Sequence, residues 1–163
     1  MKLKSCLTPF VKPLAWAAPF TLRKAYPPKR IADLIKVRIS ADGEGIELWN
    51  GDTPKAKAWI TITNLSPFSL ELDRAFGSFS YGAELESFSY LQKEKILPAS
   101  EKSFPIETSL TKEQAGVIQR LMTSNPRPEV RFNAHILCSV HNFDLHKSLG
   151  TTHHRLVNFN AAG

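Results

Sequence analysis

The chain has 163 residues, 42% hydrophobic and 22% charged, with eleven prolines and eight glycines. This describes one domain with some decoration, long enough to bury a proper core, built from short elements joined by many turns. The net charge of +6 is concentrated at one end: Lys2, Lys4, Lys12, Arg23, Lys24, Lys29 and Arg30 precede any acidic residue, leaving 14 basic against 15 acidic residues after them. A near-neutral body argues against a nucleic-acid partner, which would need a dense basic surface on the folded part. The two cysteines, Cys6 and Cys138, do not make a disulfide framework and fit a reduced, cytoplasmic setting. Cys138 reads as a small buried hydrophobe.

Residues 1–30 form a basic, proline-rich arm before a body spanning 31–160. Met1-Lys2-Leu3-Lys4 and Ala15-Trp16-Ala17 have the form of a secretory leader, but Pro9, Lys12 and Pro13 break its apolar region. The same residues count against a transmembrane helix, which needs about 20 mainly apolar residues. Two uses of the arm remain. In one, it lies peripherally on an anionic membrane or against a protein partner, with Lys2, Lys4, Phe10, Lys12, Trp16, Phe20, Arg23 and Lys24 as contacts. In the other, slightly favoured, its apolar residues pack on the body or stay disordered, and Tyr26-Pro27-Pro28 is a stiff extended connector.

The body begins with a strand expected over Ile31 to Ile39, a turn at Ala41 to Gly45, and a short strand Ile46 to Trp49. Asn50-Gly51-Asp52 suggests a tight hairpin. Lys55 to Thr63 follows, with Ala56, Ala58, Ile60 and Ile62 on one face. Further strands are expected over Leu70 to Asp73, Phe76 to Tyr81, Leu85 to Lys93 and Lys102 to Thr108, with breaks at Gly77, Gly82 and Leu97-Pro98-Ala99-Ser100. Serines alternate with Phe79, Tyr81, Phe88 and Tyr90, the pattern of half-buried strands. Thr111 with Gln114 makes a capping box for one helix over about 111–123, whose apolar stripe is Ala115, Ile118, Leu121 and Met122. After the stop at Asn125 to Pro128, Val130 to Val140 resumes the sheet and Arg155 to Phe159 closes it. Short strands at regular spacing with one helix predict an all-β, immunoglobulin- or fibronectin-like antiparallel sandwich of about seven strands.

The chemistry-bearing residues do not assemble into a site. The five histidines all fall late, but His135 and His141 lie about 20 Å apart along a strand, and His153 and His154 point to opposite faces. Only His141, His146 and one of His153 or His154 could meet, so surface histidines are expected and no metal. Glu84 with Glu86, and Asp42 with Glu44, share faces without neighbours that would split their pKa values. No nucleophile elbow, phosphate-cradling glycine loop or dinucleotide fingerprint is present. Asn64-Leu65-Ser66 matches a glycosylation acceptor by chance, and Trp49 and Trp59 read as core or edge aromatics. Neither catalytic residues nor a cofactor are expected.

Three segments carry a family pattern: Ile60 to Phe68 with its asparagine-proline-aromatic break, Phe79-Ser80-Tyr81-Gly82, and Ile96 to Ser100. Over roughly residues 31–160 the chain resembles the late embryogenesis abundant type 2 proteins, whose domain is also called the water-stress and hypersensitive-response (WHy) domain. That family commonly shows Asn-Pro-Asn before the aromatic, where this chain has Asn64-Leu65-Ser66-Pro67. The resemblance implies a seven-stranded sandwich with one helix, no cofactor, no enzymatic activity, and a role in stress protection or membrane-proximal binding. The alternative is a binding or assembly module that docks a protein partner through a sheet edge or the basic arm.

Overall fold

Two prolines decide how the body starts. In the computed structural model, which describes residues 20–40 and 45–159, residues 20–25 are helical (α1) and Pro27 is extended, at φ −63° and ψ 159°. Pro28 then occupies the first turn of helix α2, Pro28–Asp33, where its fixed φ fits and its missing N–H costs nothing. Ile31 to Asp33 is therefore helix, not the start of a strand, and Ile31 is fully buried. The boundary drawn after residue 30 falls inside this helix. Tyr26-Pro27-Pro28 is not a simple extended connector either, since Tyr26 packs edge-on against Phe68 with ring centroids 5.1 Å apart.

The strands are β1 Ile35–Ile39, β2 Ile46–Trp49, β3 Lys55–Asn64, β4 Leu70–Tyr81, β5 Glu84–Tyr90, β6 Glu94–Ile96, β7 Ser100–Ser109, β8 Pro128–Cys138, β9 Phe143–Gly150 and β10 His154–Val157. They form two five-stranded sheets. In the first, β7 pairs with the whole of β3 on one side, while β1 and β2 share its other side and β10 follows β2. The second has the order β5-β4-β8-β9, with β6 beside the start of β4. The fold is an all-β sandwich, with ten strands among the described residues where about seven were expected. Its pairing is antiparallel except for β10, which runs parallel to β2.

Several differences from the expected strands have one cause each. Leu70–Asp73 and Phe76–Tyr81 are a single strand, because a bulge between Leu72 and Arg74 shifts the register. The buried set changes parity there, from Leu70 and Leu72 to Ala75, Phe79 and Tyr81, so the alternation looks broken although the ladder continues. Gly77 therefore lies inside β4 rather than ending a strand. A Cβ on it would sit 1.7 Å from the Arg131 carbonyl oxygen of the neighbouring strand. The run expected to reach Lys93 stops at Tyr90, and Glu94–Ile96 pairs separately with β4. Strand β9 was not expected: Lys147 falls in register with Phe132, where the apolar alternation of Phe143 and Leu145 should continue. Asn50 to Pro54 is a longer loop, with Trp49 opposite Lys55, rather than a tight hairpin. The turn at Ala41 to Glu44, including the Asp42 and Glu44 pair, lies outside the described residues.

Helix α3, Lys112–Leu121, forms as its capping box dictates, followed by a 3-10 turn at Met122–Ser124. The Gln114 N–H donates to Thr111 Oγ1 at 3.1 Å, and Gln114 Oε1 accepts the Thr111 N–H at 2.8 Å. The Gln114 amide also donates to the Leu85 carbonyl, tying the helix to the start of β5. Helix α3 thus closes one end of the sandwich, and α1 and α2 lie at the other. Between the sheets, Phe104 stacks on Tyr90 at 4.7 Å and meets Phe132 at 6.4 Å, joining the two layers through aromatic contact.

Candidate functional site

The end opposite α3 gathers the described part of the basic arm and the segment that carries the family pattern. Lys2, Lys4, Phe10, Lys12 and Trp16 lie outside the described residues. Phe20, Arg23 and Lys24 are on α1, all exposed. Helix α1 is held to the body by His141 of the β8–β9 loop, whose Nε2 is 3.2 Å from the Arg23 carbonyl oxygen. The Arg30 guanidinium lies 5.0 Å from the centre of the Tyr26 ring and donates to the Ala25 carbonyl at 2.9 Å. The arm is therefore divided. Tyr26 packs against the core, while the described residues of α1 are exposed.

At the centre of this end is Asn64, the last residue of β3 and fully buried. Its Nδ2 donates to the carbonyls of Phe68 at 2.7 Å, Ile96 at 3.2 Å and Leu97 at 3.1 Å. Its Oδ1 accepts the Ser66 N–H at 2.9 Å and the Ser66 hydroxyl at 2.6 Å. One side chain thus fastens the β3–β4 turn to the β6–β7 turn. The resemblance-carrying Asn64-Leu65-Ser66-Pro67-Phe68 and Ile96 to Ser100 meet at this corner, and Asn64 is committed to the interior rather than presented for glycosylation.

Several titratable groups are engaged with one another on the sheet surfaces. Lys93 reaches Asp73 at 3.0 Å and Glu71 at 3.2 Å, and its hydrogen bond holds the Asp73 carboxyl below its ordinary value. The same two carboxylates, Asp73 first, raise Lys93. Lys102 lies 3.1 Å from Glu94 and lowers it. Tyr90 donates to Glu94 at 2.9 Å and is pushed up to about 12, first by burial and then by that carboxylate. His135 Nδ1 is 2.7 Å from Asp144 Oδ1 and lowers Asp144, while His146 Nδ1 is 2.7 Å from Asn133 Oδ1. His154 packs against Tyr81 at 5.7 Å. Burial raises the Tyr81 hydroxyl, which has no hydrogen-bond partner among the described residues.

The histidines thus take separate posts, and His141, His146 and His154 do not converge. Among the described residues, no three His, Cys, Asp or Glu side chains are grouped to hold a metal ion. Glu84 faces Arg131 at 3.8 Å, while Glu86 accepts the Ser87 N–H, so the two carboxylates do not act together. Trp49 and Trp59 are half-buried on inner strands of the first sheet, β2 and β3, each with a lysine over its ring, Lys55 at 5.6 Å and Lys57 at 5.2 Å. Cys138 is half-buried against the core rather than fully enclosed. A shallow polar groove of about 310 Å³ lies on the outer face of the second sheet, between Arg127, Arg131, Glu84 and Glu129. Among the described residues, no helix is long and apolar enough to cross a membrane.

Comparison with solved structures gives a TM-score of 0.51 to AT1g01470 of Arabidopsis thaliana, at 12% identity over 76% of this chain and 85% of that chain. The likeness is one of fold. A candidate late embryogenesis abundant (LEA) protein, At2g46140.1, aligns at 7% identity over 86% of this chain and 83% of its own, with a TM-score of 0.42. A structural-genomics target, SoR45, aligns at 13% identity over 71% and 84%, with a TM-score of 0.49. No family model matches the chain, and no curated protein matches it.

Sequence reasoning missed what makes this end a site. Leu65 and Leu97 were read as turn residues, yet both side chains stand out into solvent at this end. The available sign was a leucine inside each turn, where polar residues are the rule.

Proposed function

We propose that the protein is a non-enzymatic sandwich of the stress-protection type, similar to late embryogenesis abundant type 2 proteins, that shields other macromolecules rather than transforming a substrate. The observation that carries this reading is the Asn64 corner. Two of the three segments on which the resemblance rests are turns that one buried asparagine ties together. The pattern therefore marks a constructed feature rather than loose punctuation. The pairing of Lys93 with Asp73 and Glu71 also supports it, because those carboxylates favour the protonated ammonium, which cannot act as a base.

The test is a freeze–thaw series on a labile enzyme, with this protein or an equal mass of serum albumin added. Greater retained activity with this protein is expected; parity would refute the reading. A second reading, an assembly module, is favoured by β10, a four-residue strand at the end of the first sheet with no further strand beside it among the described residues. It predicts parity with albumin and recovery of one partner in a pull-down.

A further inference from the structure

Six large hydrophobic side chains are well exposed among the described residues, and four of them stand at the arm end: Phe20 at 74%, Leu22 at 41%, Leu65 at 49% and Leu97 at 54%. Their placement follows from the bonds above. Leu65 adjoins Asn64, Leu97 is held by the Asn64 amide, and α1 is tied to the same end by His141. Leu65 is also fixed by its N–H, which donates to the Leu34 carbonyl at 2.9 Å. Such side chains on well-held backbone keep their exposure for a reason other than local disorder.

The charge on the two helices at this end is mainly basic. Arg23, Lys24, Lys29 and Arg30 are exposed on α1 and α2, and the acidic residue of these two helices is Asp33. The chain before α1 brings Lys2, Lys4 and Lys12, with Phe10, Val11, Leu14 and Trp16 between or beside them, and no acidic residue. If residues 1–19 folded back over Leu65 and Leu97, or a second copy docked there, basic groups would be set against basic groups. An anionic surface accepts both sets at once.

We propose that this end of the sandwich docks on an anionic lipid bilayer, with Leu65, Leu97, Phe20 and Leu22 entering the interfacial layer and the α1 and α2 cations facing the headgroups. The surface resembles an interfacial amphipathic helix in its chemistry, but two of its apolar contacts come from turns of the folded body. This goes beyond protection of soluble clients and does not depend on it.

The experiment is co-sedimentation of the full chain with phosphatidylcholine vesicles, with and without phosphatidylserine. Pelleting that requires phosphatidylserine and weakens as salt rises is expected. Arg23→Gln/Lys24→Gln should weaken it about thirtyfold, from about 1 kcal/mol per cation near such a surface. Leu65→Ser/Leu97→Ser should weaken it about tenfold, given that both leucines are half exposed and only their remaining area can enter lipid. Both variants should keep the parent's thermal midpoint, because the changed side chains are exposed. Equal pelleting with and without phosphatidylserine would overturn the proposal. So would a Leu65→Ser/Leu97→Ser variant that pelleted like the parent, leaving binding to the arm alone. Self-association abolished by that variant, without vesicle binding, would assign the end to a second copy instead.

Discussion

Replacing Asn64 with alanine removes the side chain on which the arm end is built. The carbonyls of Phe68, Ile96 and Leu97 each lose a donor, and the Ser66 N–H and hydroxyl lose their acceptor. A buried polar group stripped of its partner costs about 1–3 kcal/mol. The corner lies close to solvent, since Leu65 and Leu97 beside it are exposed, so water can reach some of the freed groups. We therefore expect a loss of about 4 kcal/mol, well below the sum for five groups. For a chain of this length that lowers the melting temperature by about 8–16 °C. Asn64→Asp separates hydrogen bonding from packing, because it keeps the shape and the acceptor but turns an oxygen towards three carbonyls. It should be at least as harmful as alanine. Urea unfolding and calorimetry of parent and both variants measure this. A loss below about 1 kcal/mol for either variant would refute the account of Asn64 as the fastening of two turns.

Gly77→Ala should cost about 2–3 kcal/mol, because the added methyl group meets the Arg131 carbonyl and the Phe88 ring and the strands must part. An unchanged urea midpoint would show that β4 and β8 can separate freely there. The ion pairs predict a pH dependence. Asp73 and Asp144 have folded pKa values below their ordinary ones, so their contribution is complete above the unfolded value and is lost as pH falls through the folded value. Lys93 is raised, so its contribution is complete below its unfolded value and is lost as pH rises through the folded one. Asp73→Asn should flatten the acid limb of a stability–pH curve below about pH 4, modestly because the pair is exposed. Curves for parent and variant that stay parallel down to pH 3 would refute it.

The features read correctly from the sequence are those settled within a few residues. The capping box at Thr111 and Gln114 needs only a helix start, and the aliphatic face of Ala56 to Ile62 needs only an extended chain. Where two local rules competed, the reading failed. Ile31-Ala32-Asp33-Leu34 is apolar enough for a strand, yet Pro28 opens a helix and Ile31 still reaches the core from it. Strand β9 was invisible because Lys147 occupies a position the alternation reserves for an apolar residue. At the candidate site, the basic residues of the arm were legible as composition. Their neighbours Leu65 and Leu97 were not, because they lie far from the arm in sequence and join it only when both turns are drawn to Asn64.

The sequence by itself determined that this is an all-β sandwich with one capped helix and a basic arm, since alternation, capping and charge are properties of neighbouring residues. The tertiary structure decided which side of β4 is buried after the bulge and that β10 runs parallel to β2. It also decided that Asn64 joins two turns and that four exposed apolar side chains share one end. The physical reason is separation along the chain. A hydrogen bond from residue 64 to residue 97, or a strand pair between 46 and 154, has no local signature, and only the packed sheets bring those partners within reach.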